Sequence, residues 1–221
     1  MIDLHTHTFF SDGALVPAEH LRRVEVLGYK AVAITDHADS SNMDFIIPRM
    51  IQAARDLNPY SQTRLLPGIE LTHVPPALIA PLTRKARELG AQVVVVHGET
   101  IVEPVAPGTN MAAIEAGADI LSHPGFLSEA EAELAARNGV FLELSGRKGH
   151  SLTNGYVAKM ALKFGAKLVV NADAHTPGDF LTADMARMVA LGAGLTEEDY
   201  EQLRININKF VDGLPEIREW L

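Results

Sequence analysis

The sequence contains no cysteine in 221 residues. That excludes a disulfide framework, a thiolate zinc site and a cysteine nucleophile. Basic residues are in deficit, 19 Lys and Arg against 28 Asp and Glu, for a formal net charge of −9. Surfaces that track along a nucleic-acid backbone carry the opposite balance, so a nucleic-acid partner is not the first expectation. Handling of phosphate through metal ions stays compatible with this charge. No apolar run reaches the roughly 18 residues that suggest a membrane span, and no basic-then-apolar leader opens the chain. A cytoplasmic enzyme is expected. No Gly-rich phosphate fingerprint follows any strand-like run, which weighs against a doubly wound nucleotide-binding sheet. Low-complexity tracts and obvious linkers are also missing, so one domain over 1–221 is expected.

What remains is an alternation of short apolar runs with amphipathic stretches. Strands are predicted near Ile2–His5, Ala31–Thr35, Leu65–Leu71, Gln92–Val96, Asp119–Ser122, Val140–Leu144 and Leu168–Asn171. Helices are predicted over Pro17–Leu27, Met43–Leu57, Pro76–Leu89, Thr109–Ala116, Ser128–Arg137, Thr153–Phe164, Thr182–Leu191 and Glu197–Phe210. Gly28, Gly90, Gly117, Gly139 and Gly165 each close an apolar-periodic run. Ser128 with Glu131 has capping-box spacing, and Thr196 with Asp199 reads as a helix start. AVAI, VVVV and LVV are continuous rather than alternating, as strands buried on both faces are. Strands alternating with helices imply right-handed βα units, an α/β fold.

The polar residues fall in a pattern. MIDLHTHTFFSDG gives His5 and His7, two residues apart and so on one face of an extended segment, then Asp12. ITDH gives Asp36 and His37, PGIEL gives Glu70, and VVVVHGE gives His97. ILSHPG gives His123, VFLELSGR gives Glu143, and NADAH gives Asp173 and His175. In a barrel of parallel strands the C-terminal ends open onto one face, where active sites sit. Singly, each residue has a plain structural explanation: a core histidine bonded to backbone, a glutamate paired with arginine, a helix-capping aspartate. Jointly those explanations fail, because so many ionisable groups at the ends of apolar strands need compensation that divalent cations supply.

These motifs, in this order, resemble the PHP family, named for polymerase and histidinol phosphatase. The resemblance spans essentially the whole chain and implies a distorted seven-stranded (β/α)7 TIM-like barrel. It further implies metal-dependent phosphoester hydrolysis at a centre of two to three divalent ions. The mixed donors suit Zn, Mn or Fe. Carried over by motif, one set is His5, His7, Glu70 and Asp173. A second shares Glu70 and adds His97 and His123, and a third is Asp12, His37 and His175. Some family members have histidine where Asp12 stands. Glu70 is the expected bridge between ions, and Glu70, Asp173 and Arg147 are the expected catalytic residues.

Arg147 lies in LSGRKGH, where a guanidinium can clamp phosphate or form a solvated loop pair with Lys148. Asp36 is expected to orient His37 or a neighbouring histidine, or to cap a helix. His20 is expected on the surface of the first helix, His150 in a loop, and His73 beside the ligands. Glu99 and Glu143 are placed near the rim. Phe9 and Phe10 are expected to wall the pocket or pack the core, and Met43, Met50, Met185 and Met188 to fill it. DGLPEIREWL, with the single Trp220, is a possible docking segment. The expected substrate is a small phosphorylated metabolite, as in histidinol-phosphate phosphatases. Alternatives are a polymerase-associated type of nuclease or phosphodiesterase, a metal-free binding module, and carbon–nitrogen hydrolysis.

Overall fold

The computed structural model describes residues 1–217, and Trp220 lies outside them. The elements run β1 (Ile2–Asp3), α1 (Pro17–Val26), β2 (Ala31–Ile34), β3 (His37–Ala38), α2 (Met43–Leu57), β4 (Arg64–Leu71), α3 (Pro76–Glu88), β5 (Val93–His97), α4 (Thr109–Glu115), β6 (Ile120–Ser122), α5 (Glu129–Asn138), β7 (Phe141–Ser145), α6 (Asn154–Phe164), β8 (Leu168–Asn171), α7 (Ala183–Gly192) and α8 (Glu197–Asp212). All eight helices fall where periodicity predicts, to within a residue or two at their ends. The capping boxes at Ser128 and Thr196 form, and the five predicted closing glycines all have positive φ.

The strands pair in parallel in the order β1, β2, β4, β5, β6, β7, β8. The two-residue β3 also pairs with β4, so β2 and β3 are two parts of one stave interrupted at Thr35 and Asp36. The result is a nearly closed barrel of seven parallel staves. The first and last staves meet through a parallel bridge between Thr6 and Ala174. Asp3 reinforces that seam, accepting from His5 N and Ala172 N.

Period-two alternation divides the apolar residues into two cores. Val32, Ile34, Leu65, Ile69, Val94, Val96, Leu142 and Val170 pack with the surrounding helices. Ile2, Leu4, Ala31, Ala33, Leu66, Val93, Val95, Ile120, Phe141 and Val169 fill the barrel, plugged from below by Ile207 and Val211 of α8. Burial on both faces explains the continuous apolar runs. The chain after α8 crosses the barrel floor, where Leu214 and Pro215 carbonyls accept from Arg64, and Pro215 O also from Gln92.

Two side-chain expectations are corrected. His20 is buried, not on the surface. It lies on the inward face of α1 with Leu21 and Val24 and meets the Phe180 ring edge-on at 4.8 Å. Met43 and Met50 are core, but Met185 and Met188 are 45% and 52% exposed, because α7 turns them away from the face carrying Ala186 and Ala190. No helix among the described residues is long and apolar enough to cross a membrane.

Candidate metal centre

The alternation that fills the barrel also builds its mouth. Along β5, Val93 and Val95 point inward, and the next inward position is His97. Along β8 the same face runs Val169, Asn171 and, just beyond the strand, Asp173. Along β4 it reaches Glu70, and along β7 it passes from Phe141 to Glu143. The loops after the staves then close on one another. Gly98 makes one approach possible: a Cβ there would collide with the Ser122 carbonyl. The loops after β5 and β6 can therefore touch, and the His97 and His123 rings lie 4.5 Å apart. Gly13 lets the 8–13 loop fold back on His7 and Thr8, with Ala14 N donating to His175 O at 2.7 Å. Three non-glycine residues have left-handed φ, His73 (53°), His123 (27°) and Asp173 (52°). All three sit at this mouth, each held there at a cost of about 1–3 kcal/mol.

Glu70 is fully buried at the centre. Its Oε1 lies 3.2 Å from His5 Nε2, 3.4 Å from His97 Nδ1 and 3.9 Å from His123 Nε2. Its Oε2 lies 2.6 Å from His37 Nδ1 and 3.9 Å from His7 Nε2. Asp173 Oδ1 is 3.2 Å from His7 Nε2 and 3.7 Å from His5 Nε2, while Oδ2 is 3.8 Å from His123 Nε2. Asp12 Oδ1 sits between His37 Nε2 at 3.3 Å and His175 Nε2 at 3.2 Å. All nine residues predicted as ligands are thus gathered at one mouth. Four overlapping groups, His7 with Asp12, His37 and His175, His5 with His123 and Asp173, His5 with His7 and Glu70, and Glu70 with His97 and His123, each hold their ligand atoms within 4.8 Å. The grouping differs from the motif-based sets: His7 also joins Asp12, His37 and His175, and both His5 and Asp173 also join His123.

The electrostatics follow from burial and close packing. Burial opposes charge on His5, but the Glu143, Glu70 and Asp173 carboxylates hold its pKa well above the ordinary value. On His7, burial together with the adjoining His37 and His5 drives the pKa well below it, and on His123 burial with His97 and His150 does the same. Burial also opposes ionisation of Glu70, yet His5 and His37 keep it well below the usual carboxylate range. Asp173 is pushed up to about 7 by burial, with Glu70 and Glu143 adding to the shift against His5.

Outside the nine, the structure sorts the other candidates. Glu143 is buried and its Oε2 contacts His5 Nδ1 at 2.8 Å, leaving Nε2 facing Glu70. Asp36 neither orients a histidine nor caps a helix. It accepts from Thr8 N, Thr8 Oγ1 and Ser11 Oγ, pinning the loop that carries Asp12. Glu99 stands off the ligands and accepts from Gly108 N and Asn110 N at the start of α4. Phe10 packs on the outer core, and Phe9 is exposed. Arg147 lines the mouth. It donates to the Asp173 carbonyl at 3.2 Å, and its Nη1 is 2.7 Å from His175 Nδ1. His150 is buried, stacked on His123 at 4.0 Å and hydrogen-bonded to Thr100 Oγ1. Glu103 was missed. It stands in a proline-flanked loop far from any strand end, and no periodic signal marks it.

The donor set passes a direct test of fit to divalent cations. His5 Nε2, both ring nitrogens of His7 and of His97, and His123 Nδ1 are buried with no hydrogen-bond partner among the described residues. Such orphaned polar atoms are costly in a protein-only interior. Imidazoles among carboxylates are the mixture that holds Zn, Mn or Fe; His7 and His123 are already held neutral, and an ion would displace the proton from His5.

Comparison with known proteins agrees with this geometry. A PHP domain model matches residues 3–148. An uncharacterized protein of Methanocaldococcus jannaschii is 47% identical over 209 residues, covering 94% of this chain and 96% of its own. Among solved structures, a chain of archaeal ribonuclease P with mature tRNA superposes with a TM-score of 0.71 at 17% identity, all of both chains covered. A Listeria monocytogenes chain provisionally assigned as a histidinol phosphatase gives 0.58 at 12% identity, over 83% of this chain and 98% of that one. At such identities the structural likeness speaks for the fold alone. Motif order, barrel and sequence match together lead to one conclusion: the chain belongs to the PHP family, whose members are generally metal-dependent phosphoesterases.

Proposed function

We propose that this protein hydrolyses the phosphate monoester of a small metabolite at the barrel mouth, using two to three divalent ions (Zn, Mn or Fe). One observation carries the reading. A buried carboxylate, Glu70, presents one oxygen to His5, His97 and His123 and the other to His37 and His7, amid imidazole nitrogens that make no hydrogen bond among the described residues. The residues that would hold the ions are His5, His7, Glu70 and Asp173; Glu70, His97 and His123; and Asp12, His37 and His175. Ions bound there supply Lewis acidity, bringing a water's pKa toward neutrality and offsetting the phosphate's charge.

The chain's own groups supply orientation. Glu70 and Asp173 each turn their two oxygens toward different imidazoles, fixing those rings relative to one another. Glu143 fixes the tautomer and direction of His5. Arg147, on the cavity wall, presents a planar guanidinium to phosphate oxygens. The cavity is small, about 200 Å³, and is walled by Asp12, His37, His97, Arg147 and His150 among others. That volume suits a phosphate with a compact leaving group.

A second reading has one observation in its favour. The ribonuclease P chain matches this one end to end and with the higher TM-score, which points to RNA or to a protein partner of an RNA. The acidic balance and the full ligand set favour hydrolysis of small esters.

A substrate panel separates the two. Purified, metal-replete protein is assayed with p-nitrophenyl phosphate, bis-p-nitrophenyl phosphate, histidinol phosphate, single-stranded DNA and tRNA. Turnover confined to monoesters is expected. Cleavage of diesters or nucleic acid, or tight tRNA binding without turnover, would transfer the assignment to the second reading. Metal without any phosphoester turnover would point to carbon–nitrogen hydrolysis instead.

A further inference from the structure

The loop joining β5 to α4, residues 98–108, carries Glu103 over the mouth. We propose that His73, Glu103 and the outer nitrogen of His97 form an additional divalent-cation site on the rim. Its occupancy competes with the Glu70 cluster for His97, so excess cation inhibits. The cation-binding part rests on rim residues alone, and the inhibitory part rests on the phosphoesterase reading above.

The geometry is specific. Glu103 Oε2 lies 3.1 Å from His73 Nε2 and 3.0 Å from His97 Nε2. Ligand atoms of these three residues all lie within 4.8 Å of one another. Donors bound at about 2.0–2.2 Å to one ion sit roughly 3.0–3.5 Å apart, so the spacing matches the edge of a coordination shell. Glu103 Oε1 is also 3.4 Å from His150 Nε2, which places a further imidazole beside the site.

A pure hydrogen-bonding account of Glu103 leaves two facts over. His97 is 3% exposed, and its Nε2 has no hydrogen bond among the described residues despite lying 3.0 Å from the carboxylate. The approach has the distance of a hydrogen bond without its direction. His73 is the other. It is held at φ 53°, a strained conformation for a side-chain-bearing residue. Its ring stands 4.8 Å from that of His97, and a hydrogen bond to Glu103 at 3.1 Å does not by itself require that backbone conformation. A cation between the three residues accounts for both.

The competition follows from the chemistry of one ring. His97 Nδ1 faces Glu70 at 3.4 Å while Nε2 faces Glu103. A neutral imidazole has a lone pair on one nitrogen only, so an ion taken at the rim withdraws His97 from the inner set. Two imidazoles and one carboxylate favour Zn²⁺ or Co²⁺ over Mg²⁺ or Ca²⁺. His73 and Glu103 are 39% and 38% exposed at their side chains, so the rim site is the weaker and fills last.

The test is a cation titration of the full chain with Zn²⁺ and Co²⁺, comparing wild type, His73→Asn and Glu103→Gln. Asparagine tolerates the left-handed backbone, which protects the fold. Wild type should take up one equivalent more than either variant and show a corresponding Co²⁺ absorption band. Excess Zn²⁺ should inhibit hydrolysis of p-nitrophenyl phosphate by wild type, and both variants should need at least tenfold more Zn²⁺ for the same inhibition. Equal stoichiometry in all three proteins would overturn the proposal. So would loss of the equivalent in Glu103→Gln alone, which would reduce Glu103 to orienting His97. If the protein cleaves no phosphoester, the main functional reading fails by itself, and the difference between wild type and His73→Asn in the Co²⁺ titration still decides the rim site.

Discussion

The two ends of the barrel interior are built from the same staves and could hardly differ more. At the floor, Ile2, Ala31, Leu66, Val93, Phe141 and Val169 meet one another and the plug of Ile207 and Val211. Further along four of these strands the inward side chains become ionisable: Glu143 stands two positions beyond Phe141, and Glu70, His97 and Asp173 stand four beyond Leu66, Val93 and Val169. Every floor residue has its partners in van der Waals contact, and the backbone there takes ordinary conformations. The mouth holds orphaned imidazole nitrogens and the three left-handed non-glycine residues among those described. The floor gains free energy by burying apolar area. The mouth buries charge and polar groups at a cost, which ions bound there, on the proposed reading, would offset.

That contrast can be broken at four points. The largest effect is expected from Glu70→Gln, which keeps the shape and removes the shared anion. Turnover should fall by at least about 10²–10³-fold, the scale of losing a main electrostatic group, while thermal stability changes little or rises. Loss of the folded state at unchanged specific activity would invert the comparison. Phe141→Ala, at the floor, should do the reverse. It should cost about 3–5 kcal/mol in urea unfolding while the folded fraction keeps its metal content.

His20 tests a buried histidine placed away from carboxylates. Burial lowers its pKa to about 4, and one ring nitrogen faces the His7 carbonyl without closing a regular hydrogen bond. The unfolded chain takes up this proton near pH 6.5 and the folded chain does not until about pH 4. Stability should therefore fall as pH drops through that window, by up to about 3 kcal/mol from this group. The difference in unfolding free energy between wild type and His20→Leu, measured from pH 7 to 4, should show that slope, and parallel curves would remove His20 from the account. The smallest effect belongs to Glu143→Gln, which weakens the acceptor behind His5. It should loosen metal binding by about 10–100-fold, read by competition with a chelator, with little change in fold.

The same contrast explains what the sequence discloses. The floor and the outer core write themselves into it as continuous apolar runs, and the helices as periodic stretches ended by Gly28, Gly139 and Gly165. Candidate ligands at or near the ends of staves, such as Glu70, His97 and Asp173, inherit that regularity, so their gathering at one mouth is legible. Groups placed by loop shape are not. Glu103 reaches the mouth only because the 98–108 loop folds over it. Asp36 turns to Thr8 and Ser11 through a break in the stave that no periodicity announces. The burial of His20 and the exposure of Met185 depend on how α1 and α7 rotate against their neighbours. The rotation of each helix about its own axis decides such cases, and a pattern of residue types carries no record of it.

The central claim is that the mouth is a multinuclear metal centre. Elemental analysis of protein purified without added chelator, repeated after dialysis against chelator and re-addition of Zn²⁺, Mn²⁺ or Fe²⁺, tests it most directly. The account predicts two to three tightly held ions per chain, with phosphomonoester hydrolysis lost and regained in step with them. A metal-replete preparation that retains no ion would contradict it.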